Sequence, residues 1–223
     1  MTEALKTVRP LSGLLHGAQP VPLLGVSVEA TLRGFGARVT VSQRYRNDET
    51  VPIEAVYVFP LDEAAAVCGF EAVLGERRIV GKVKERDEAF EDYDDAVSQG
   101  HGAFLLDQER PDIFTASLGN LRPAEEVVIQ ITYVAELSLD AGAIHFAIPT
   151  TVAPRYAPAQ DRTGVGRSAA DTVNPPIAPE VPYSLELSVK IDMGTAIRSV
   201  QSPSHPIALE LDGSSAVVRP AAR

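Results

Sequence analysis

Tryptophan is absent from this sequence, and cysteine occurs once, at position 68. A single cysteine excludes an internal disulfide and a cysteine-rich zinc site. No run approaches the roughly 20 apolar residues that a membrane-spanning helix needs. Lys6, Arg9 and Pro10 interrupt the apolar residues near the start, which argues against a secretory signal. The sequence therefore predicts a cytoplasmic protein.

Basic residues are also scarce. Twenty lysines and arginines stand against thirty aspartates and glutamates, which gives a net charge of −10 over 223 residues. A surface of that sign repels nucleic-acid phosphates and anionic lipids. The four histidines lack the spacing of a zinc motif, and no phosphate-binding glycine loop is present. We therefore expect no metal, no cofactor, and no nucleic-acid or membrane partner.

The sequence is rich in alternation between apolar and polar residues. Four segments show it: 26–32, 39–45, 127–134 and 183–191. Such a period of two is typical of half-buried β-strands. Residues 53–59 are apolar on both faces and end at Pro60, which indicates a more central strand. Turns at 34–36, 75–77 and 140–142 follow strand segments. The pattern predicts an all-β fold, most simply an antiparallel β-sandwich or barrel.

One segment has helical periodicity instead. Ala89, Tyr93 and Ala96 recur on one helix face, and Gly100 stands where a helix often ends. We therefore predict one inserted amphipathic helix over about 85–99. Seven carboxylates crowd it: Glu85, Asp87, Glu88, Glu91, Asp92, Asp94 and Asp95. They form either a solvated face or an interaction surface for a basic partner.

A proline-rich stretch over 158–182 interrupts the strand pattern. Its composition cannot build a packed core, so we predict a long surface loop or linker. Loops of this length are uncommon inside compact domains, and a boundary is therefore expected here. The predicted units are a sandwich over 10–157, the loop over 158–182, and extra strands over 183–219. These extra strands either complete the sandwich or lead to another domain.

Several ordered motifs resemble a known family. They are Val-Phe-Pro-Leu-Asp-Glu at 58–63, Tyr-Asp-Asp-Ala-Val at 93–97, Arg-Pro-Asp-Ile-Phe at 110–114 and Gly-Asn-Leu-Arg-Pro at 119–123. With further matches between 13 and 156, they resemble the VIT domain, the vault protein inter-alpha-trypsin domain. Within that family the greatest likeness is to the von Willebrand factor A domain-containing protein 5A group. Ala124 departs from the pattern, because the family usually has a turn glycine there.

The resemblance implies a β-sandwich without catalytic activity, normally followed by a von Willebrand factor A domain. The chain ends about where that domain would begin, so a fragment lacking it is expected. The family signature residues are expected to be structural; they are Pro60, Asp62, Glu63, Tyr93, Gln99, Gly100, Arg110, Pro111, Asn120 and Tyr133. The function predicted from this is a non-catalytic protein-interaction or scaffold module. Its own downstream von Willebrand factor A domain is one candidate partner.

Two other functions compete with this interpretation. A carbohydrate- or matrix-binding β-sandwich is motivated by the heavy-chain members of the family and opposed by the absence of tryptophan. A hydrolase would use Asp62 and Glu63, although turn chemistry explains this carboxylate pair more simply. Cys68 and His101 are a conceivable nucleophile and base. A cysteine within an apolar strand, however, is expected to be buried and inert.

Overall fold

The computed structural model describes residues 13–17, 19–61, 65–81, 103–110, 113–148 and 183–221. This part of the chain contains β-strands and no helix, which confirms the all-β prediction. In chain order the strands are β1 Gly13–His16, β2 Gln19–Pro20, β3 Leu23–Arg33, β4 Gly36–Arg46, β5 Ile53–Pro60, β6 Ala65–Leu74, β7 Arg77–Val80, β8 Ala103–Arg110, β9 Ile113–Leu121, β10 Glu126–Glu136, β11 Ser138–Asp140, β12 Ala143–His145, β13 Ser184–Asp192, β14 Ile207–Asp212 and β15 Ser215–Pro220. The helix predicted over 85–99 and the loop predicted over 158–182 lie outside the described residues. No helix capable of crossing a bilayer occurs in the part that is described.

The strands form two main sheets and one short ribbon. The small sheet has the order β2-β1-β5-β9-β8, and the large sheet has the order β14-β15-β13-β3-β4-β10-β6-β7. β11 and β12 pair only with each other among the described strands. β3 and β13 are parallel, with Val28 opposite Leu187 and Leu32 opposite Ile191. The prediction of purely antiparallel pairing is therefore wrong at this position. A parallel neighbour requires a long crossover, which the chain between β3 and β13 provides.

The two main sheets share one hydrophobic core. In β10, buried Val127, Ile129 and Ile131 alternate with partly exposed residues. Aromatic rings join the two sheets: the ring centre of Tyr57 in β5 lies 6.5 Å from that of Tyr45 in β4. The ring centre of Tyr57 is also 6.3 Å from that of Phe70 in β6. Such pairs add about 0.5–1.5 kcal/mol each beyond the area that they bury.

A partly buried polar side chain borders this core. Gln43 of β4 faces inward, and its Oε1 accepts hydrogen bonds from the hydroxyls of Tyr45 at 3.1 Å and Tyr57 at 2.7 Å. Burial raises the pKa of both phenols above their ordinary value of 10.0. Both hydroxyls therefore stay protonated at neutral pH and remain available as donors. One side-chain oxygen thus satisfies polar groups from both sheets.

Asn47, directly after β4, is a fully buried polar residue, with 0% of its surface exposed. Its Nδ2 donates to the carbonyl oxygens of Val51 at 3.1 Å and Leu121 at 2.9 Å. Its Oδ1 accepts from the backbone N–H of Glu49 at 2.9 Å. The backbone N–H of Asn47 also donates to the carbonyl of Glu125 at 3.1 Å. This side chain therefore joins the loop after β4 to the connection between β9 and β10.

Ala124, in that same connection, adopts a left-handed backbone conformation with a φ of 59°. Its N–H donates to the carbonyl of Asn47 at 2.8 Å, which holds the backbone in place. For a residue with a Cβ this conformation costs about 1–2 kcal/mol, whereas glycine adopts it without that cost. The glycine that the resemblance implies at this position would therefore avoid a strain that alanine leaves in the turn.

Replacing Ala124 with glycine is expected to raise the free energy of unfolding by about 1 kcal/mol, because the left-handed strain is relieved. Urea unfolding followed by far-ultraviolet circular dichroism measures this change. Ala116→Gly is the matched control: Ala116 is a fully buried β9 residue, and the same substitution there should lower stability. A destabilised Ala124→Gly variant would contradict the explanation.

Candidate functional site

An apolar groove lies on the outer face of the large sheet, at the end of the β3–β4 hairpin. We call it the Phe35 groove, and its volume is about 590 Å³. The residues that matter for its chemistry are Thr31, Phe35, Arg38, Ala66, Val134 and Glu136. β3, β4, β10 and β6 each contribute to it, so the packing of four adjacent strands determines its shape.

The hairpin turn presents Phe35 to solvent. Arg33 pairs with Gly36, which leaves Gly34 and Phe35 as a two-residue loop. Gly34 has a φ of 53°, as the first position of a type II′ turn requires. The backbone N–H of Leu137 donates to the carbonyl of Phe35 at 2.7 Å and so attaches the turn to the end of β10. The backbone of Phe35 is thereby held, while 56% of the residue's surface is exposed.

Strand register forms the base of the groove. Thr31 lies opposite Arg38, Arg38 lies opposite Val134, and Val134 lies opposite Ala66. Residues directly opposite each other share one face of a sheet, so these four side chains form one continuous row. Val134 is 40% exposed near the end of β10. The row therefore combines an accessible aliphatic side chain with the long stem of an arginine.

The outer face becomes polar beyond this row. The hydroxyls of Thr40 and Thr132 are 3.1 Å apart, and Gln130 donates to the hydroxyl of Ser42 at 3.0 Å. These side chains hydrogen-bond to each other across neighbouring strands, so the surface that they present is mainly polar. At the hairpin end, in contrast, Phe35 and Val134 present exposed apolar surface.

Charge is unevenly distributed around the groove. Arg33 and Arg38 line it together with Glu136. The guanidinium of Arg33 lies 3.5 Å from the carboxylate of Asp192, and both groups are largely exposed. For Arg38, the described part of the chain provides no ion pair. An apolar groove with accessible arginines suits a ligand that combines an apolar side chain with a carboxylate.

Most of the residues predicted for the site lie outside the described residues. This applies to the seven carboxylates over 85–95 and to the signature residues Asp62, Glu63, Tyr93, Gln99, Gly100 and Pro111. Pro60 ends β5 and Arg110 ends β8. Tyr133 lies in the core, with its ring centre 6.1 Å from that of Phe59. Asn120 has a φ of 54° and lies within β9.

Cys68 contradicts the expectation that it is buried, because the structure exposes it. In β6, Gly69 lies opposite Thr132 while Val67 lies opposite the next residue, Tyr133. Cys68 is therefore the extra residue of a β-bulge, and the alternation of inward and outward side chains is interrupted there. His101, its proposed partner, lies outside the described residues. Within those residues, no group of three or more histidine, cysteine, aspartate or glutamate side chains is placed to hold a metal ion.

The Phe35 groove was not predicted from the sequence. Phe35 was assigned only to a turn, and the one available signal was a large aromatic residue between two turn glycines. The approach of Ala66 to Val134 depends on the pairing of β6 with β10, which the local pattern does not specify. A groove formed by four strands therefore needs the register of all four.

Comparison with known proteins gives one family match and several long relatives. Residues 23–133 match the Vault protein inter-alpha-trypsin domain. Mouse (Mus musculus) protein mono-ADP-ribosyltransferase PARP4 is 42% identical over 221 residues, covering 96% of this chain and 11% of that protein. Human (Homo sapiens) von Willebrand factor A domain-containing protein 5A is 39% identical over 189 residues, covering 82% of this chain and 24% of that protein. The chain thus spans about a tenth and about a quarter of these relatives.

One solved structure aligns with most of this chain. An M1 zinc metallopeptidase from Deinococcus radiodurans aligns at 12% identity with a TM-score of 0.37. The alignment covers 92% of this chain and 39% of the peptidase. At that score the similarity bears on neither fold nor function.

Proposed function

The chain belongs to the vault protein inter-alpha-trypsin (VIT) domain family through residues 23–133, and on this premise we propose that it is a non-catalytic protein-interaction module. The resemblance to the VIT domain and to the 5A group is confirmed, although mouse PARP4, at 42% identity, is more similar to this chain than human 5A, at 39%. The observation that carries the proposal is the Phe35 groove. It is an apolar surface that four adjacent strands of the large sheet present to solvent.

The composition of the groove supports protein binding. Aromatic residues at the centre of an interface commonly contribute most of the binding energy, with less from the surrounding contacts. Burying a phenylalanine side chain contributes about 1.5–3 kcal/mol, and Val134 adds a second apolar contact. The backbone of Phe35 loses little conformational freedom on binding, because its carbonyl already accepts a hydrogen bond from Leu137. The arginines on the rim then select partners that carry carboxylates.

The partner that we propose is a von Willebrand factor A domain. Relatives of this chain carry that domain in their names, including the human 5A protein at 39% identity. A domain carried on the same polypeptide is present at a high effective concentration, so a modest intrinsic affinity suffices. The acidic residues over 85–95 remain a second predicted surface for the same kind of partner.

We also propose that the two main sheets form a β-sandwich and that β13 to β15 belong to the same folded unit. Their shared core supports the sandwich. Continuous pairing of β13 with β3, from Ser184 opposite Gly25 to Asp192 opposite Arg33, supports the single unit. The cytoplasmic location suggested by the sequence stays a prediction.

Binding of the 223-residue chain to a purified, folded von Willebrand factor A domain of human 5A tests the proposed function. Phe35→Ala is expected to weaken binding about 30-fold or more, the effect of losing an aromatic hot spot of about 2 kcal/mol. Isothermal titration calorimetry measures the dissociation constants. Leu139→Ala is the matched control, because Leu139 is similarly exposed at 59% and lies in β11, outside the groove.

Two results would overturn this function. One is the absence of binding by the wild-type chain, and the other is equal affinity of the wild type and Phe35→Ala. Glycan-array binding that persists at high salt would support the carbohydrate-binding alternative instead. Hydrolytic turnover lost in Asp62→Asn would establish the enzymatic alternative.

A further inference from the structure

β14 forms one outer edge of the large sheet. It pairs with β15 on one side, and no described strand pairs with its other side. The N–H of Ala221 donates to the carbonyl of Pro206 at 3.0 Å, which fixes the alternation of hydrogen bonds along the strand. In antiparallel pairs every second residue bonds to the neighbouring strand. Ile207, Leu209 and Leu211 therefore direct their N–H and C=O groups toward the open edge.

The charged side chains of β14, Glu210 and Asp212, lie on one face of the strand, and the apolar face does not protect this edge. Leu209 is 38% exposed and Leu211 is 45% exposed, and both lie on the same face as Ile207. Natural edge strands usually carry lysine, proline or a bulge that discourages pairing with another chain. The opposite edge of the same sheet, β7, has two consecutive arginines at positions 77 and 78. β14 contains no basic residue and is regular along its whole pairing with β15.

From this edge we propose that two copies of the chain associate through antiparallel pairing of β14 with β14. A two-fold axis at Leu209 places Leu209 opposite its own copy and Ile207 opposite Leu211. All the edge-facing groups then pair, giving about six main-chain hydrogen bonds. The same face of both copies carries the apolar side chains. The pairing therefore extends an apolar strip across the junction and is isologous.

Charge and strand pairing together favour this register over the two neighbouring ones. In the proposed register Glu210 faces Ala208 of the second copy, and no two acidic residues are opposite each other. Glu210 is also bound by Arg219 of its own chain, with N and O atoms 2.9 Å apart. A shift that centres the axis on Glu210 would place two glutamates opposite each other, which is destabilising. A shift that centres the axis on Ala208 would place Ile207 opposite Leu209 of the second copy. Leu211 would then have no β14 residue opposite it.

Because the junction involves one short strand from each copy, it is a small interface, and we expect a weak, concentration-dependent dimer. Sedimentation velocity of the 223-residue chain from micromolar to millimolar concentration tests it. The wild type should shift from monomer to dimer as concentration rises. Leu209→Lys should remain a monomer, because it places two like charges opposite each other. Val80→Lys, a similarly exposed position on the opposite edge of the sheet, should dimerise like the wild type.

A disulfide experiment tests the register itself, in a Cys68→Ser background. Leu209→Cys places the two cysteines in one hydrogen-bonded pair, with Cα atoms about 5.5 Å apart, which is within disulfide range. Mild oxidation should therefore produce a covalent dimer on a non-reducing gel. Leu211→Cys should produce little, because residue 211 faces residue 207 of the second copy.

Three results would overturn the dimer: a monomer at all concentrations, a dimer insensitive to Leu209→Lys, or crosslinking as efficient through position 211 as through position 209. The proposal is independent of the Phe35 groove. Phe35→Ala should leave self-association unchanged, so a failure of one proposal is distinguishable from a failure of the other.

Discussion

Asn47→Ala is expected to lower the free energy of unfolding by about 3–5 kcal/mol. The substitution removes the donor of two carbonyl oxygens, those of Val51 and Leu121, and the acceptor of the Glu49 N–H. The buried carbonyl of Leu121 left without a partner costs about 1–3 kcal/mol, and each of the two partly buried hydrogen bonds that are lost costs about 0.5–1.5 kcal/mol more. Domains are typically stable by only about 5–15 kcal/mol, so the variant is expected to retain little margin.

Chemical denaturation with urea measures the Asn47→Ala effect. Asp48→Asn is the control: this neighbouring carboxylate is exposed and pairs with Arg46 at 2.6 Å across the surface. The hydrogen bond from Arg46 lowers the pKa of Asp48, but solvent screens such an exposed pair, so the control should be far milder. An Asn47→Ala variant within about 1 kcal/mol of the wild type would show that the loops do not depend on this side chain.

Gln43→Leu is expected to destabilise the protein by about 2–4 kcal/mol. It removes the acceptor shared by the hydroxyls of Tyr45 and Tyr57, which are 2% and 0% exposed. Tyr57 is left with a buried polar hydroxyl whose acceptor is gone, at a cost of about 1–3 kcal/mol. Tyr45 also loses the acceptor of its O–H, although its oxygen still accepts from the backbone of Leu14.

A double-mutant cycle distinguishes this cause from a simple packing defect. Tyr57→Phe removes the orphaned hydroxyl, so Gln43→Leu combined with Tyr57→Phe should be more stable than Gln43→Leu alone by about 1 kcal/mol. Urea midpoints and slopes of the two single variants and the double variant give the coupling. Additive losses in the double variant would mean that the glutamine oxygen does not hold the tyrosine hydroxyl.

Strands with regular alternation were predictable from the sequence. The segments 26–32, 39–45 and 127–134 became parts of β3, β4 and β10, and the buried strand ending at Pro60 became β5. The hairpin turn after Arg33 was also predictable, because Gly34 supplies the positive φ that the turn needs. These features depend on residues close together in the chain.

β8 and β9 were not identified by periodicity. In β9 the inward positions are Phe114, Ala116 and Leu118, and the small alanine and the neighbouring Gly119 weaken the apolar signal. The bulge at Cys68 likewise has no local signature, since it is defined only by the pairing of β6 with β10. Features of this kind depend on register between distant segments.

For β13 the sequence predicted the strand but not how much of its apolar face is buried. Its alternation from 183 to 191 correctly indicated a strand, and the apolar face was expected to be half-buried. Val189 is only 8% exposed, whereas Leu185 on the same face is 51% exposed. Burial of a strand face depends on what covers it, and the small sheet has five strands against eight in the large one. The sequence specifies which side chains share a face, and the sheet sizes decide how many are covered.

Amide NMR spectra of the isotope-labelled chain, recorded while the von Willebrand factor A domain of human 5A is added, test the central claim most directly. That claim is that this β-fold acts by presenting the Phe35 groove to a protein partner. The account predicts that the amide shifts of Phe35, Val134 and Ala66 change together and saturate, while those of Leu139 and β14 stay constant. Shifts that cluster elsewhere, or that leave Phe35 and Val134 unchanged at saturation, would contradict it.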